Sequence, residues 1–457
     1  MDERLLVGSN LAVLVAASEL VARGLRVRVI TDGAALGGHF RGSVVDDHAF
    51  DNGMVLLERR AGESSPLSVG PGPSGHPVRQ DWTRFGQQVD DWFTKRFTLA
   101  RVPPLEVSVA GRRWPDHLLS NRLDVFRDAG VDEPGPLEPD DPRHPAVKAT
   151  SARFEDITYG ELAPVVHGPS NHATLVAPFA EKVLGPAHGE VLARHHRSGW
   201  LPLYWPETVA RARAGQQTGL PEYPFWSVAG GYAHHVVTRL VRELDGAGTC
   251  CVDTSPVQAL ARDGHGWHVS TVASGSVTST RVGLGLAPQR LQSLSGDESC
   301  AAVGTGPANA VDLLFCLVRG EFAGAPVSSL LVTEDHLDTY RITDQDVVSG
   351  QDRRWHHVVV EARSRGASVE ERTDALVAEA CGLLDVDVGH VRVLGARRAG
   401  RAIPLLTASV VRADVERSAA QADWARGGLL SGALLGLHQT SMNDQIVQGL
   451  DIARELT

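Results

Sequence analysis

The stretch RLLVGSNLAVLVAASELVARGLRVRVI, residues 4–30, constrains the chain more than any other. A short apolar run ends at Gly8, and Leu11, Leu14, Ala17, Leu20 and Val21 then recur at helical spacing. After Gly24, Val27 and Val29 alternate with Arg26 and Arg28 in the two-residue rhythm of a strand. Two strands joined through a helix run parallel, so the segment predicts one right-handed βαβ unit.

The turn between the first strand and its helix carries the first chemical question. A dinucleotide-binding turn has Gly-x-Gly-x-x-Gly, for a tight reversal, close backbone approach to a pyrophosphate, and close helix–strand packing. Here it reads Gly8-Ser9-Asn10-Leu11-Ala12-Val13. Gly8 keeps the first role. Asn10, which tolerates left-handed backbone better than most residues, is read as a weaker holder of the second. Val13 is bulkier than the third role prefers. The acid that normally ends the second strand and binds a ribose is replaced by Thr31, with Asp32 one step later. Successive strand residues face opposite ways, so Thr31 rather than Asp32 is expected to face a ribose. From these residues alone, a cofactor turn and a plain βαβ core remain equal readings.

At 457 residues the chain has room for two or three domains. Its net charge of −11 gives no footing for nucleic acid or an anionic membrane. No apolar run reaches the roughly 18 residues of a transmembrane span, and a cytoplasmic location is the default. Five cysteines without a C-x-x-C pair argue against a disulfide framework or a structural zinc. Residues 59–82 and 132–145, rich in Gly, Pro and Ser or in Pro and acids, read as loops. The pattern is helical over 151–215, strand-rich over 310–361, and helical again at 368–384. The last segment, 429–457, reads as a strand, a loop and a helix whose start, Ser441 with Asp444 three residues on, has the form of a capping box.

Longer stretches beyond the opening unit are more specific. LGGHFRG (36–42) and then FDNGM (50–54) resemble the N-terminal signature of the FAD-dependent amine oxidase and protoporphyrinogen oxidase superfamily. That signature is a dinucleotide turn, an acid, Leu-Gly-Gly-Arg and Asp-x-Gly. APFAEKVLG (177–185) resembles a segment of protoporphyrinogen-oxidase-like and UDP-galactopyranose-mutase-like proteins. GGLLSGALLGLHQTSMNDQIVQGLDIA (427–453) is similar to the family's C-terminal flavin segment. The pieces keep their order over nearly the whole chain. Asn10, Val13, Thr31, His39 and Ala433 depart from the pattern, at two glycines, an acid, an arginine and a polar phosphate-side residue.

The resemblance implies an α/β fold: a discontinuous Rossmann-like FAD-binding domain of the GR2 type with an inserted α+β substrate domain. The FAD-binding parts would be 1–60, 221–295 and 395–457, with a mainly helical substrate part at 61–220 and a substrate-domain sheet at 296–394. It implies FAD held by Gly8, Asn10, Thr31, Asp32, Gly37, Gly38, His39, the backbone of Val257 at the adenine, Gly432, Met442, Asn443 and Asp444. The amides of Met442–Asp444 would face the flavin, where a helix N-terminus favours negative charge. Arg341, Arg401 and His39 are the candidate substrate contacts, the arginines as bidentate donors to an anion. The histidine pairs His195-His196, His234-His235 and His356-His357 are poorly spaced to chelate one metal, and no metal site is expected.

The leading function is a flavin-dependent oxidoreductase passing a hydride from a small metabolite to flavin N5. The alternatives are a non-redox flavin-dependent sugar mutase and a cofactor-free descendant that serves as a binding protein. A small-molecule substrate is the expected partner, with a homodimer left open.

Overall fold

The computed structural model describes residues 3–58, 82–128, 157–204, 206–218, 225–273, 275–286, 288–295, 307–320, 327–413, 426–430 and 441–457. The two stretches read as loops therefore lie wholly or almost wholly outside the described residues, as do Gly432 and Ala433. The chain divides into two compact units, the first made of Met1–Ser43, Gly231–Thr305 and Ser409–Thr457, the second of Val44–Gly230 and Gly306–Ala408.

The first unit is built on the opening βαβ pattern. Its strands Arg4–Gly8 and Val27–Ile30 pair in parallel, joined through the helix Leu11–Ala22. The strands Cys250–Asp253, Val282–Gly285 and Leu429–Leu430 complete a five-stranded sheet in which every pair is parallel. The first helix is apolar nearly all round, and Leu11 through Ser18 are buried without a break. A helix of that kind belongs inside a layered core. The terminal helix Met442–Glu455 covers it closely, because Gly449 faces the first helix: a Cβ there would sit 2.5 Å from the Ala12 carbonyl oxygen. A smaller antiparallel sheet, Val257–Asp263, Gly266–Thr271 and Gly275–Ser279, buries Val257, Leu260, Trp267 and Val269 against Leu5, Val7 and Ile30.

The second unit holds a seven-stranded sheet. Its order is Val391–Pro404, Ala308–Arg319, Trp355–Arg363, Thr339–Asp344, Ser329–Val332, Glu106–Val109 and Arg112–Pro115. All its pairings are antiparallel except Ser329–Val332 with Glu106–Val109. Helix Thr373–Leu384 packs Leu376, Val377 and Ala380 onto one face. The described part of 151–215 is helical or turn-like, as its pattern predicts, and includes a π-helical turn at His172–Val176.

The strand Val391–Pro404 pairs with Ala308–Arg319 along most of its length, with two register shifts, and 395–408 belongs to this second unit. That differs from the expected boundary, which puts all of 395–457 with the FAD-binding parts; the long antiparallel pairing holds the segment in the larger sheet.

An arginine-rich network locks one end of this sheet. Asp312, fully buried, accepts from Arg398 at 2.7 Å and also pairs with Arg372. Asp338 accepts from Arg363 and Arg365, each at 2.6 Å, and from Arg372 at 2.7 Å. Burial works against the Asp338 charge, but the guanidiniums of Arg365 and Arg363 outweigh it and hold its pKa at about 2, below the ordinary 3.8. A folded value below the unfolded one stabilises fully above about pH 4, and the contribution is lost as pH falls through 2. Discounted for solvent screening, it amounts to about 1 kcal/mol. Thermal unfolding followed from pH 5 down to pH 2 should show a shallower acid decline in Asp338→Asn than in the parent.

Candidate functional site

Of the residues expected to hold a dinucleotide, Gly8 and Thr31 lie at the C-terminal ends of neighbouring parallel strands in the first unit, the edge where ligands settle in open α/β sheets. Gly8 closes the first strand at φ +124°, and a Cβ there would lie 2.4 Å from the backbone carbon of Gly285. The neighbouring strand therefore demands this glycine, with or without a cofactor. A bulky residue at Gly8 strikes Gly285 before it can report on a pyrophosphate.

Asn10 is not left-handed. It lies at φ −70°, ψ 171°, extended, and is the N-cap of the first helix, accepting from the Val13 amide at 3.0 Å. The same first turn has a second capping oxygen, since the Leu11 amide donates to Gln445 Oε1 of the terminal helix at 3.0 Å. The small residue that close packing needs sits on the opposite strand instead. A Cβ on Gly285 would fall 2.2 Å from Asn10 Oδ1 and 2.4 Å from a Val13 methyl. The bulk of Val13 is thus compensated across the sheet.

Gly37 and Gly38 are tied to this turn. The Gly37 amide donates to the Ser9 carbonyl at 2.7 Å, and both glycines have positive φ. A Cβ on Gly37 would meet Val237 at 2.3 Å, and one on Gly38 would lie 3.2 Å from Asn10 Cα. His39 is exposed, its ring tilted against Phe40 at 3.9 Å.

Thr31 and Asp32 take different environments. Thr31 is 1% exposed and its Oγ1 has no hydrogen-bond partner among the described residues. A buried hydroxyl left unpaired is costly and asks for a ligand or a water. Asp32 is past the end of the strand, in a turn at φ +57°, where strand alternation no longer decides its direction. Its carboxylate accepts the Val257 amide at 2.8 Å and is gripped by Arg290, Nε at 2.6 Å and Nη2 at 2.8 Å. Arg290 also donates to the Val257 carbonyl at 2.6 Å. The bond from Arg290 holds the Asp32 carboxyl below the usual carboxylate range. Both backbone groups of Val257 are therefore engaged by side chains of this chain.

At the start of the terminal helix the expected capping box is present. The Asp444 amide donates to Ser441 Oγ at 3.1 Å, and the Ser441 amide donates to Asp444 Oδ2 at 3.1 Å. The amide of Asp444 is consumed by that cap, contrary to the expectation that it faces a flavin. Met442, Asn443 and Asp444 are all buried.

The candidate substrate arginines of the second unit fare differently. Arg341 is 6% exposed, and its guanidinium fork is bound to Glu361 at 2.5 and 2.6 Å. Burial opposes its charge and Glu361 more than restores it. Glu361 also accepts the Met54 amide at 3.2 Å, and a Cβ on Gly53 would lie 2.6 Å from its Oε1. The Asp-x-Gly stretch therefore wraps a buried ion pair, and Arg341 is a structural partner rather than an open anion receptor. Arg401 is exposed on the edge strand Val391–Pro404.

Pattern reading misses several groups. Arg290 carries no motif, because one arginine in a short helix looks like any solvated charge. The string Asp346–His357–His48, with links of 2.8 and 3.0 Å, joins residues 309 positions apart, His48 and His357, only through pairing in the fold. Among the described residues no group of three or more His, Cys, Asp or Glu is arranged to hold a metal ion, and no helix is long and apolar enough to cross a membrane.

No family model matches the sequence, and no curated relative matches it. The solved structures do. Reduced UDP-galactopyranose mutase is similar with a TM-score of 0.69 at 12% identity, over 100% of this chain and 93% of that one. Putrescine oxidase bound to putrescine gives 0.61 at 13% identity, over 100% and 99%. Cyclohexylamine oxidase from Brevibacterium oxydans gives 0.59 at 14%, over 100% and 98%. The chain has the fold of these enzymes. At such identities the likeness is one of architecture, and the amine-oxidase and mutase fold can host more than one chemistry.

Proposed function

We propose that the protein is an FAD-dependent oxidoreductase acting on a small metabolite. The observation that carries the cofactor is the orphaned Thr31 hydroxyl, buried at the C-terminal end of a parallel strand in a chain with the amine-oxidase fold. A ribose hydroxyl is a fitting partner for it, in the place where this sheet architecture receives one. The residues proposed to hold FAD are Gly8, Asn10, Thr31, Gly37, Gly38, His39, Val257 and, at the first turn of the terminal helix, Met442 and Asn443. Asp32 belongs to the same edge through its bond to Val257.

Bound there, the flavin supplies hydride acceptance at N5. The chain's part is to orient it: positive-φ glycines bring backbone close, and the buried start of Met442–Glu455 presents the positive end of a helix dipole. The Rossmann-like character of the first unit and its role as the cofactor-holding domain belong to this proposal. A second reading, a non-redox flavin mutase, is favoured by the TM-score of 0.69 to UDP-galactopyranose mutase.

A visible spectrum of the purified protein with added FAD tests the reading. Flavin absorbance should co-elute with the protein, and acid precipitation should release it into the supernatant. A folded protein that takes up no flavin defeats the proposal. Turnover by dithionite-reduced protein without an electron acceptor would select the mutase. Thr31→Val sharpens the site assignment. It should stabilise the flavin-free protein by about 1 kcal/mol, because an unpaired hydroxyl is removed. It should weaken FAD binding, because a partner for the ribose goes with it; two calorimetric measurements, melting and titration, read the opposed signs.

A further inference from the structure

The Asp32–Arg290 pair occupies the backbone edge of Val257, which the proposed function gives to FAD and the family resemblance gives to its adenine. Val257 offers one amide donor and one carbonyl acceptor side by side. Adenine is complementary to such a pair, with a ring nitrogen that accepts and an adjacent amino group that donates. In the structure the carboxylate of Asp32 takes the amide at 2.8 Å and the Nη2 of Arg290 donates to the carbonyl at 2.6 Å. The ion pair thus presents to Val257 the same acceptor and donor that adenine would.

The arrangement is built rather than incidental. Asp32 adopts φ +57° and Gly33 φ +79°, so the chain turns sharply at the strand end and carries the carboxylate toward Val257. Arg290 reaches the same place from the helix Pro288–Ser295 and bonds both oxygens of Asp32 together with the Val257 carbonyl. The Arg290 side chain is 39% exposed, so its guanidinium can swing into water without disturbing the core, whose neighbouring members Leu291 and Leu294 are on the same helix.

We propose that the Asp32–Arg290 pair is a displaceable internal occupant of the adenine-binding edge, and that dinucleotide binding requires the carboxylate to leave the Val257 amide and the guanidinium to leave its carbonyl. This rests on the FAD reading and adds a control to it. The cofactor competes with side chains of the protein, so its apparent affinity is reduced by the fraction of molecules in which the pair holds the edge. The ligand class that displaces the pair is any nucleotide carrying an adenosine end. A flavin mononucleotide, which lacks adenosine, gains nothing from its removal.

Titration calorimetry of the full chain, dialysed free of flavin, decides the matter with FAD, ADP and FMN as probes. The double variant Asp32→Ala with Arg290→Ala, which frees both backbone groups of Val257, should bind FAD and ADP at least about tenfold more tightly than the parent, with FMN unchanged. Arg290→Ala alone frees only the Val257 carbonyl and should give a smaller gain in both affinities. The ligand-free Arg290→Ala protein should also melt a few degrees lower, since it loses the tie between helix and strand. Equal FAD and ADP affinities in parent and variants would overturn this inference alone. Weaker binding in Arg290→Ala would overturn it too, by making Arg290 a ligand. If neither parent nor variants bind FAD or ADP, the inference and the FAD reading fall together.

Discussion

Replacing Glu361 with alanine should destabilise the protein by about 3–5 kcal/mol, because it leaves the Arg341 guanidinium charged and buried without its counter-ion. Arg341 and Glu361 have side chains only 8% and 5% exposed, and the carboxylate also satisfies the Met54 amide. The loss should appear as a fall in the denaturation midpoint with little change in slope. Arg341→Met, which retains bulk and removes the charge, should cost similarly, since Glu361 is then the stranded ion. The double variant Arg341→Met with Glu361→Gln should recover a large part of the loss. A role for Arg341 as a substrate receptor predicts the reverse pattern: normal stability with impaired ligand binding. That outcome would refute the structural assignment.

Gly8→Ala should be nearly as damaging, at about 2–5 kcal/mol. The cost comes from strain at φ +124° together with a Cβ 2.4 Å from the Gly285 backbone. Gly24 is a reference with positive φ and no contact. Its φ is +76°, and nothing lies within 4 Å of its Cβ position. Gly24→Ala should therefore cost only about 1 kcal/mol. The difference between the two variants reports the strand contact together with the greater backbone strain at φ +124°. Urea unfolding of the flavin-free proteins reads it directly, and equal costs for both would show that the approach of Gly285 is not what fixes Gly8. Asn10→Ala, by removal of an N-cap, should cost about 1 kcal/mol, whereas Asn10→Gly should cost only a few tenths.

Much of this protein is legible in the sequence where the information is local. Apolar spacing marks the first strand, the first helix and the second strand, because a period of two or of about 3.6 residues is set by backbone geometry alone. The Ser441–Asp444 box is legible because both of its hydrogen bonds close within one turn of helix. The order of the glycine-bearing segments is enough to suggest the fold.

What the sequence could not decide were the partners brought together from distant positions. Gly8 reads as a cofactor glycine until Gly285 is seen against it, and Asn10 reads as a strained turn residue until its side chain is seen capping Val13. Arg341 reads as a free cation, yet Glu361, twenty residues away, claims it across paired strands. Asp32, Val257 and Arg290 meet only because a strand end, an antiparallel sheet and a helix converge on one edge. Local pattern specifies which elements form. Packing specifies which polar groups those elements leave for a ligand, because a buried donor or acceptor takes whichever partner the tertiary fold delivers to its side.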